Sequence, residues 1–410
     1  MQDETLSEES HDSQSTDIAP KPFRWAFWQI AYIIGLVIII GLFVLEAIGV
    51  HLAEFTLAIG ELIGGVLLIG GACEAFVISV EGIAHNYNMT DYVSGIYASI
   101  ASTIPELCVL VFLILGGQYE MAWILALATI FMNSLVFALY TLILPKDEHG
   151  DFKLPDAIMW VGSDLLSMGA VISLSVGLSM VLVHLFPMTN DNVLIPQALD
   201  SGELILFGLC LLSVFVVYLY RITKYYGKCD PTSEDPYLAC EIEHDVIDKR
   251  TLAIYLILAA IGALLGGEAL SSFAHFTIEE VGLPIIHAAL LLVIFAGTPE
   301  YIIVASSHRK NEIEIALSNA FGGIVQVFFV IFGFTMVISG LFGFFDPMHL
   351  GIGILPIELY SVVLLLYAFP TMFILRVMIA DDSKINALES AAMIAVFVMM
   401  LYILLFYGGI

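Results

Sequence analysis

Basic residues are the scarcest feature of this sequence. Lys and Arg number 13 among 410 residues, against 40 Asp and Glu, for a formal net charge of −27. So acidic a chain repels nucleic acid and attracts cations. Charged residues of both signs make up only 13%, about half the share found in a soluble domain. The five cysteines suggest no disulfide framework: Cys73, Cys108 and Cys210 fall in apolar runs, while Cys229 and Cys240 sit in a hydrophilic stretch without metal-site spacing. Walker A, Gly-x-Ser-x-Gly and His-Glu-x-x-His patterns are all missing. The sequence therefore offers no support for an ATP-driven pump or an intramembrane hydrolase. Neither enzymatic chemistry nor a bound cofactor is expected.

What is present is hydrocarbon. Sixty per cent of residues are hydrophobic and the mean hydropathy is +0.97. Apolar runs long enough to cross ~30 Å of lipid recur from Trp25 onward, and the two-residue alternation of a membrane barrel is absent. The expected fold is an all-α polytopic membrane protein. Eleven spans are read at 25–48, 56–83, 92–116, 120–143, 157–185, 202–222, 251–275, 283–307, 313–342, 354–378 and 386–408. The N-terminal 1–24 reads as an acidic, disordered tail: its first 20 residues carry six acids and no Lys or Arg. It lacks the basic start of a signal peptide.

All 13 basic residues fall on one side of this plan: Lys21, Arg24, Lys146, Lys153, Arg221, Lys224, Lys228, Lys249, Arg250, Arg309, Lys310, Arg376 and Lys384. The positive-inside rule then puts the N-terminus in the cytoplasm and the C-terminus outside, in the cell membrane. The stretch 223–250 is too short for a folded domain and reads as a solvated, acidic cytoplasmic loop.

An internal repeat organises the spans. At a constant offset of 194, Glu74 pairs with Glu268, Ala75 with Ala269, Pro105 with Pro299, Glu106 with Glu300 and Glu120 with Glu314. An extra helix at 25–50 thus precedes two five-helix repeats, 54–222 and 251–410. An odd number of spans per repeat inverts the second relative to the first, the plan of many secondary transporters.

Within each repeat a Pro-Glu pair interrupts an apolar run: "ASTIPELCV" (Ala101 to Val109) and "FAGTPEYII" (Phe295 to Ile303). Proline removes a backbone donor and strains the preceding turn, so Pro105 and Pro299 are expected to break their helices. Ser102 and Thr103 in one copy and Gly297 in the other ease the unwinding. An acid near the bilayer centre costs at least ~2.5 kcal/mol and marks an ion or proton pathway. Glu106 and Glu300 together would form a hard-oxygen site. Ca²⁺ takes about six to eight such oxygens in flexible geometry. Carbonyls around Ser102 and Ala296, the amides of Asn133 and Gln326, and water could complete the shell. The breaks carry no His/Cys cluster, which disfavours a soft metal.

The segment "GACEAFVISVEGIAHNYNMTDYVSGIYASIASTIPEL" (Gly71 to Leu107) resembles the first α-repeat of the cation/Ca²⁺ antiporter superfamily, the Na⁺/Ca²⁺ and Ca²⁺/H⁺ exchangers. "AGTPEYIIVASSHRKNEIEIALSNAFGGIVQ" (Ala296 to Gln326) resembles the second. The resemblance implies that Glu106 and Glu300 are paired cation ligands, and that Asn133, 27 residues after Glu106, is an amide ligand on the next helix. Gln326, 26 after Glu300, is similar to the Gln of the Ca²⁺/H⁺ branch. The family's Gly-Thr-Ser-x-Pro-Glu keeps its hydroxyls here in Ser102 and Thr103. In the second copy Ala296 and Gly297 replace Thr and Ser, and Val327 stands where a polar residue is expected. That thinner oxygen set puts Na⁺ coupling in doubt.

Secondary antiport follows as the expectation: Ca²⁺ exchanged for a monovalent cation, H⁺ slightly ahead of Na⁺, by alternating access at the paired glutamates. A passive cation channel and an antiporter of another divalent cation are the alternatives. Channels place acids in rings supplied by several subunits, whereas both acids here belong to one chain. The partners are the transported cations and the lipid bilayer, and a homo-oligomer stays open. Among other polar residues, Glu74 and Glu268 line either a cation path or a polar vestibule. Asp164 is read as intramembrane, and Glu61, Glu81 and Glu120 as interfacial. His85 and His287 are read as packing or surface residues.

Overall fold

The computed structural model describes residues 26–50, 52–154, 156–185, 189–190, 193–194, 198–228, 248–309, 313–345, 355–356, 359–381 and 384–407. The N-terminal tail, most of the acidic loop and the cysteines Cys229 and Cys240 lie outside the described residues.

Thirteen α-helices are described: α1 Phe27–Ala47, α2 Glu54–Asn86, α3 Asp91–Leu115, α4 Tyr119–Ile143, α5 Asp156–Leu185, α6 Ser201–Tyr226, α7 Lys249–Glu279, α8 Ile285–Ala296, α9 Thr298–Arg309, α10 Ile313–Gln326, α11 Gly333–Phe345, α12 Leu359–Asp381 and α13 Ala387–Tyr407. A π turn, Val327–Phe332, joins α10 to α11. Counting α8 with α9 and α10 with α11, eleven spans are long and apolar enough to cross a bilayer. The chain is an all-α polytopic membrane protein.

Helix starts carry their own chemistry. Asp200 and Glu203 form reciprocal side-chain to backbone bonds of 2.7 and 3.1 Å at the start of α6. Asn386 and Glu389 do the same before α13, at 3.0 and 2.9 Å. Each pair satisfies two donors that a helix N-terminus leaves orphaned. Gly117 supplies the left-handed backbone (φ +77°) that turns α3 into α4.

Helix α4 and the α10–π–α11 span form the centre. Trp123, Phe131, Phe137, Phe328 and Phe329 are each under 2% exposed or close to it, and Trp123 meets Phe332 edge-on at 4.7 Å between ring centres. Around them α2 crosses α7 closely because the contact is small. A Cβ at Gly65 would lie 3.2 Å from that of Ala269, and one at Gly266 would lie 3.0 Å from the Gly65 carbonyl. Small residues that let backbones approach are what hold helices together in lipid. Helix α1 packs along α2, and its outer face leaves Phe27, Val37 and Phe43 exposed.

Short antiparallel ladders link the connecting segments. β1 (Phe152–Lys153) pairs with β6 (Lys384–Ile385), and β4 (Ala198–Leu199) pairs with β5 (Leu355–Pro356). A third ladder, β2 (Thr189–Asn190) with β3 (Val193–Leu194), is local. Beside β1–β6, Lys384 Nζ reaches Asp147 at 3.1 Å and Asp151 at 3.6 Å. At the same end of the spans Thr90 donates to the Tyr226 carbonyl at 2.6 Å, and the Tyr140 hydroxyl lies 3.3 Å from His308 Nδ1.

One expectation needs correction. Helix α3 runs unbroken through Pro105. Proline deletes one backbone bond, and a helix packed among others tolerates that loss. Asp164 is exposed and falls within the span Gly162–Leu182. A π turn divides the ninth span. His287 packs against α13, its Nε2 3.3 Å from the Leu405 carbonyl.

Candidate cation site

Helix α3 brings Glu106 to the centre of the bundle. Thr90 caps its start by accepting from the Val93 N–H at 3.4 Å. Further along, Ser102 Oγ donates to the Ser99 carbonyl at 2.7 Å and Thr103 Oγ1 to the Ile100 carbonyl at 2.8 Å. Both hydroxyls are thus turned onto their own helix, with lone pairs left to accept. Pro105 has no N–H to give, so the Ala101 carbonyl loses its helical donor. The Cys73 thiol, from α2, lies 3.7 Å from the Ser102 carbonyl.

The second copy is built differently. Helix α8 ends at Ala296, and Gly297 makes a one-residue turn before α9 begins at Thr298. The Gly297 N–H donates to Val293 at 3.0 Å, and the Glu300 N–H to the Gly297 carbonyl at 3.1 Å. Pro299 withholds a donor from Phe295. The break expected in both copies therefore occurs in one, where glycine and proline act together within three positions.

Glu106 and Glu300 are 3% and 8% exposed, and they interact electrostatically across the bundle. Glu106 Oε1 accepts from Thr129 Oγ1 at 2.6 Å. Glu300 faces the Asn133 amide, whose Nδ2 has no well-formed hydrogen bond. Gly323 of α10 makes room for that pair, since a Cβ there would stand 2.8 Å from Asn133 Nδ2 and 3.3 Å from Glu300 Oε2. Gln326, also of α10, accepts from Ser99 Oγ of α3 at 3.1 Å. The two repeats thus cross: α4 of the first serves α9 of the second, and α10 of the second serves α3 of the first.

Every residue singled out in the sequence, Glu106, Glu300, Asn133, Gln326, Ser102, Thr103, Ala296 and Gly297, is buried around these crossings. Thr129 was not singled out, although it lies four positions before Asn133 and so on the same helical face. Among the described residues no Lys or Arg pairs with either carboxylate, and no cluster of three His, Cys, Asp or Glu occurs. Two unpaired carboxylates in a buried site call for a proton or a cation. The donor set is oxygen throughout, which suits a hard cation. Glu74 is half-buried and Glu268 exposed. Glu61 is half-buried.

Eleven apolar spans, a crossed pair of repeats and a buried oxygen cluster define an integral membrane protein of the exchanger class. The chain belongs to the sodium/calcium exchanger protein family, whose model matches residues 57–224 and 251–406. Its fold is similar to the crystal structure of the H⁺/Ca²⁺ exchanger CAX (TM-score 0.66, 15% identity, 92% of this chain and 88% of that one). It is also similar to native YfkE (TM-score 0.61, 14% identity, 91% and 98%) and to the sodium-calcium exchanger NCX_Mj (0.55, 16%, 85% and 98%). No curated protein matches the sequence.

Proposed function

We propose that this protein is a secondary antiporter that moves Ca²⁺ against monovalent cations, with H⁺ as the favoured counter-ion over Na⁺. Family membership supports cation/Ca²⁺ antiport at the coarser level. The observation that carries the finer reading is the burial of Glu106 and Glu300, one from each repeat, without a basic partner among the described residues. Empty and ionised, such a pair is strongly unfavourable. The protein therefore changes its accessible side with the site loaded, by Ca²⁺ or by its competitor. Both compete for the same carboxylate oxygens, so one gradient drives the other ion without ATP.

H⁺ is favoured because Ala296 and Gly297 contribute no side-chain oxygen and Val327 is wholly buried and apolar. A proton needs only the carboxylates, whereas Na⁺ needs additional oxygens. The N-terminus is assigned to the cytoplasm and the C-terminus to the outside of the cell membrane. The charge asymmetry supports this, and accessibility of a single cysteine placed at Lys384 to an impermeant reagent tests it. Labelling from outside intact cells would reverse the orientation.

The decisive experiment is ⁴⁵Ca²⁺ uptake into proteoliposomes under an outward H⁺ gradient and, separately, an outward Na⁺ gradient. Uptake driven by H⁺ and abolished in Glu106→Gln and Glu300→Gln is the expected result. Uptake under Na⁺ alone would reverse the counter-ion. Downhill Ca²⁺ flux indifferent to both gradients would replace antiport by a channel.

A further inference from the structure

Tyr301 follows Glu300 in α9, and it does something the repeat pattern does not announce. Long side chains on a helix lean toward its N-terminus, over the residues three and four positions earlier. For Tyr301 that position is Gly297, the residue at which the span breaks. The phenol lies directly over it: a Cβ built on Gly297 would collide with the Tyr301 hydroxyl, and a Cβ there would also crowd the ring carbon that bears it, at 2.9 Å. The hydroxyl oxygen therefore occupies the place a short side chain at 297 would fill.

That oxygen is buried, and it has no hydrogen-bond partner among the described residues. Buried hydroxyls are ordinarily satisfied, so an unpaired one calls for a reason. Both Glu300 and Glu106 act on it electrostatically. The hydroxyl thus sits at the helix break, within electrostatic reach of both carboxylates, at a position where the second repeat has Ala296 and Gly297 and no side-chain oxygen. A phenol oxygen can accept as well as donate. It can turn its lone pairs to a cation when the site is loaded.

We propose that Tyr301 supplies, from one turn along α9, the side-chain oxygen that Gly297 lacks, and that its hydroxyl is a ligand of the transported Ca²⁺. The inference rests on the paired-glutamate reading and extends it. It also gives Gly297 a second purpose besides flexibility: any larger residue would displace the phenol. One phenol restores one oxygen at two positions that carry none, so the second repeat remains the thinner half.

The test is ⁴⁵Ca²⁺ binding to the purified full-length protein, with Tyr301→Phe, the double variant Gly297→Ser with Tyr301→Leu, whose shorter side chain clears the space a Cβ at 297 would enter, and Glu106→Gln and Glu300→Gln as references. Loss of one neutral ligand is expected to weaken Ca²⁺ binding by about 5- to 10-fold in Tyr301→Phe. The double variant returns an oxygen to the same place from the other residue, and its affinity is expected to recover to within about twofold of the parent. A purely structural role for the phenol would not be rescued in this way. Tyr301→Phe binding within twofold of the parent, while both Gln variants lose Ca²⁺, would overturn the role of Tyr301 and leave the paired site standing. Undiminished binding in the Gln variants would overturn the site itself. If Tyr301→Phe fails to fold, the double variant alone decides: near-parental affinity supports the ligand, and an affinity loss of tenfold or more removes it.

Discussion

Thr129 and Asn133 stand one turn apart on α4, and each serves a different glutamate. Thr129 donates to Glu106 at 2.6 Å, while the Asn133 amide faces Glu300. One helix face therefore sets the position of both acids. Thr129→Val removes the bond to Glu106 while keeping the shape of the side chain. A hydrogen bond to a charged group contributes about 1.5–3 kcal/mol. The Ca²⁺ dependence of exchange should accordingly shift at least about tenfold toward higher concentration, with Thr129→Ser close to the parent. Equal KM values for Thr129→Val and the parent would show that the bond does not matter to the cation.

Gly323 admits Asn133 and Glu300 to the face of α10. Gly323→Ala would insert a methyl 2.8 Å from Asn133 Nδ2 and 3.3 Å from Glu300 Oε2, closer than ordinary contact. Alanine favours the helix by about 1 kcal/mol, so global stability should hold while exchange falls by about tenfold or more. The pairing of a maintained melting temperature with lost uptake is the signature to seek. Full uptake would show that the two side chains can retreat without consequence.

Pro105 leaves the Ala101 carbonyl without its helical donor in an otherwise continuous α3. Pro105→Ala restores the N–H, so the melting temperature in detergent is expected to stay level or rise. If the freed carbonyl serves the cation or the flexing of α3, uptake falls about fivefold or more. Unchanged uptake would assign the proline to assembly alone.

Asp147 offers a pH prediction outside the membrane. The backbone N–H of Asp151, then Lys384, and the N–H of His149 hold its carboxyl down at about 2. A group whose folded pKa is depressed stabilises the fold above its ordinary range, near about 4, and loses that contribution as pH falls toward the folded value. Asp147→Asn should therefore melt below the parent at pH 6, with the gap closing between about pH 4 and pH 2. A gap that persists at pH 2 would place the effect in something other than ionisation.

The spans were legible because apolar runs longer than the bilayer have few other uses: α1 to α7 were read to within a few residues. The acids were legible because a glutamate in hydrocarbon is costly and two at one offset are hard to explain otherwise. Thr129 escaped because a lone threonine in an apolar helix bonds its own backbone as readily as a ligand, here Leu125 at 2.9 Å as well as Glu106. The π turn after Gln326 has no periodic signature, since Val327–Phe332 would suit an α-helix equally well by composition. Pro105 misled because proline states which bond is lost, whereas packing decides whether the helix yields.

The ladders described at the two ends of the bundle have one more consequence. β1–β6 and β4–β5 each pair a strand from the first half with one from the second, and between them α3 lies on α10 and α4 serves α9. The halves are laced at top, middle and bottom by contacts that do not depend on the peptide bonds joining them. A chain severed within the stretch between α6 and α7 should then reassemble from two separately expressed fragments. The covalent join would set their stoichiometry and little else.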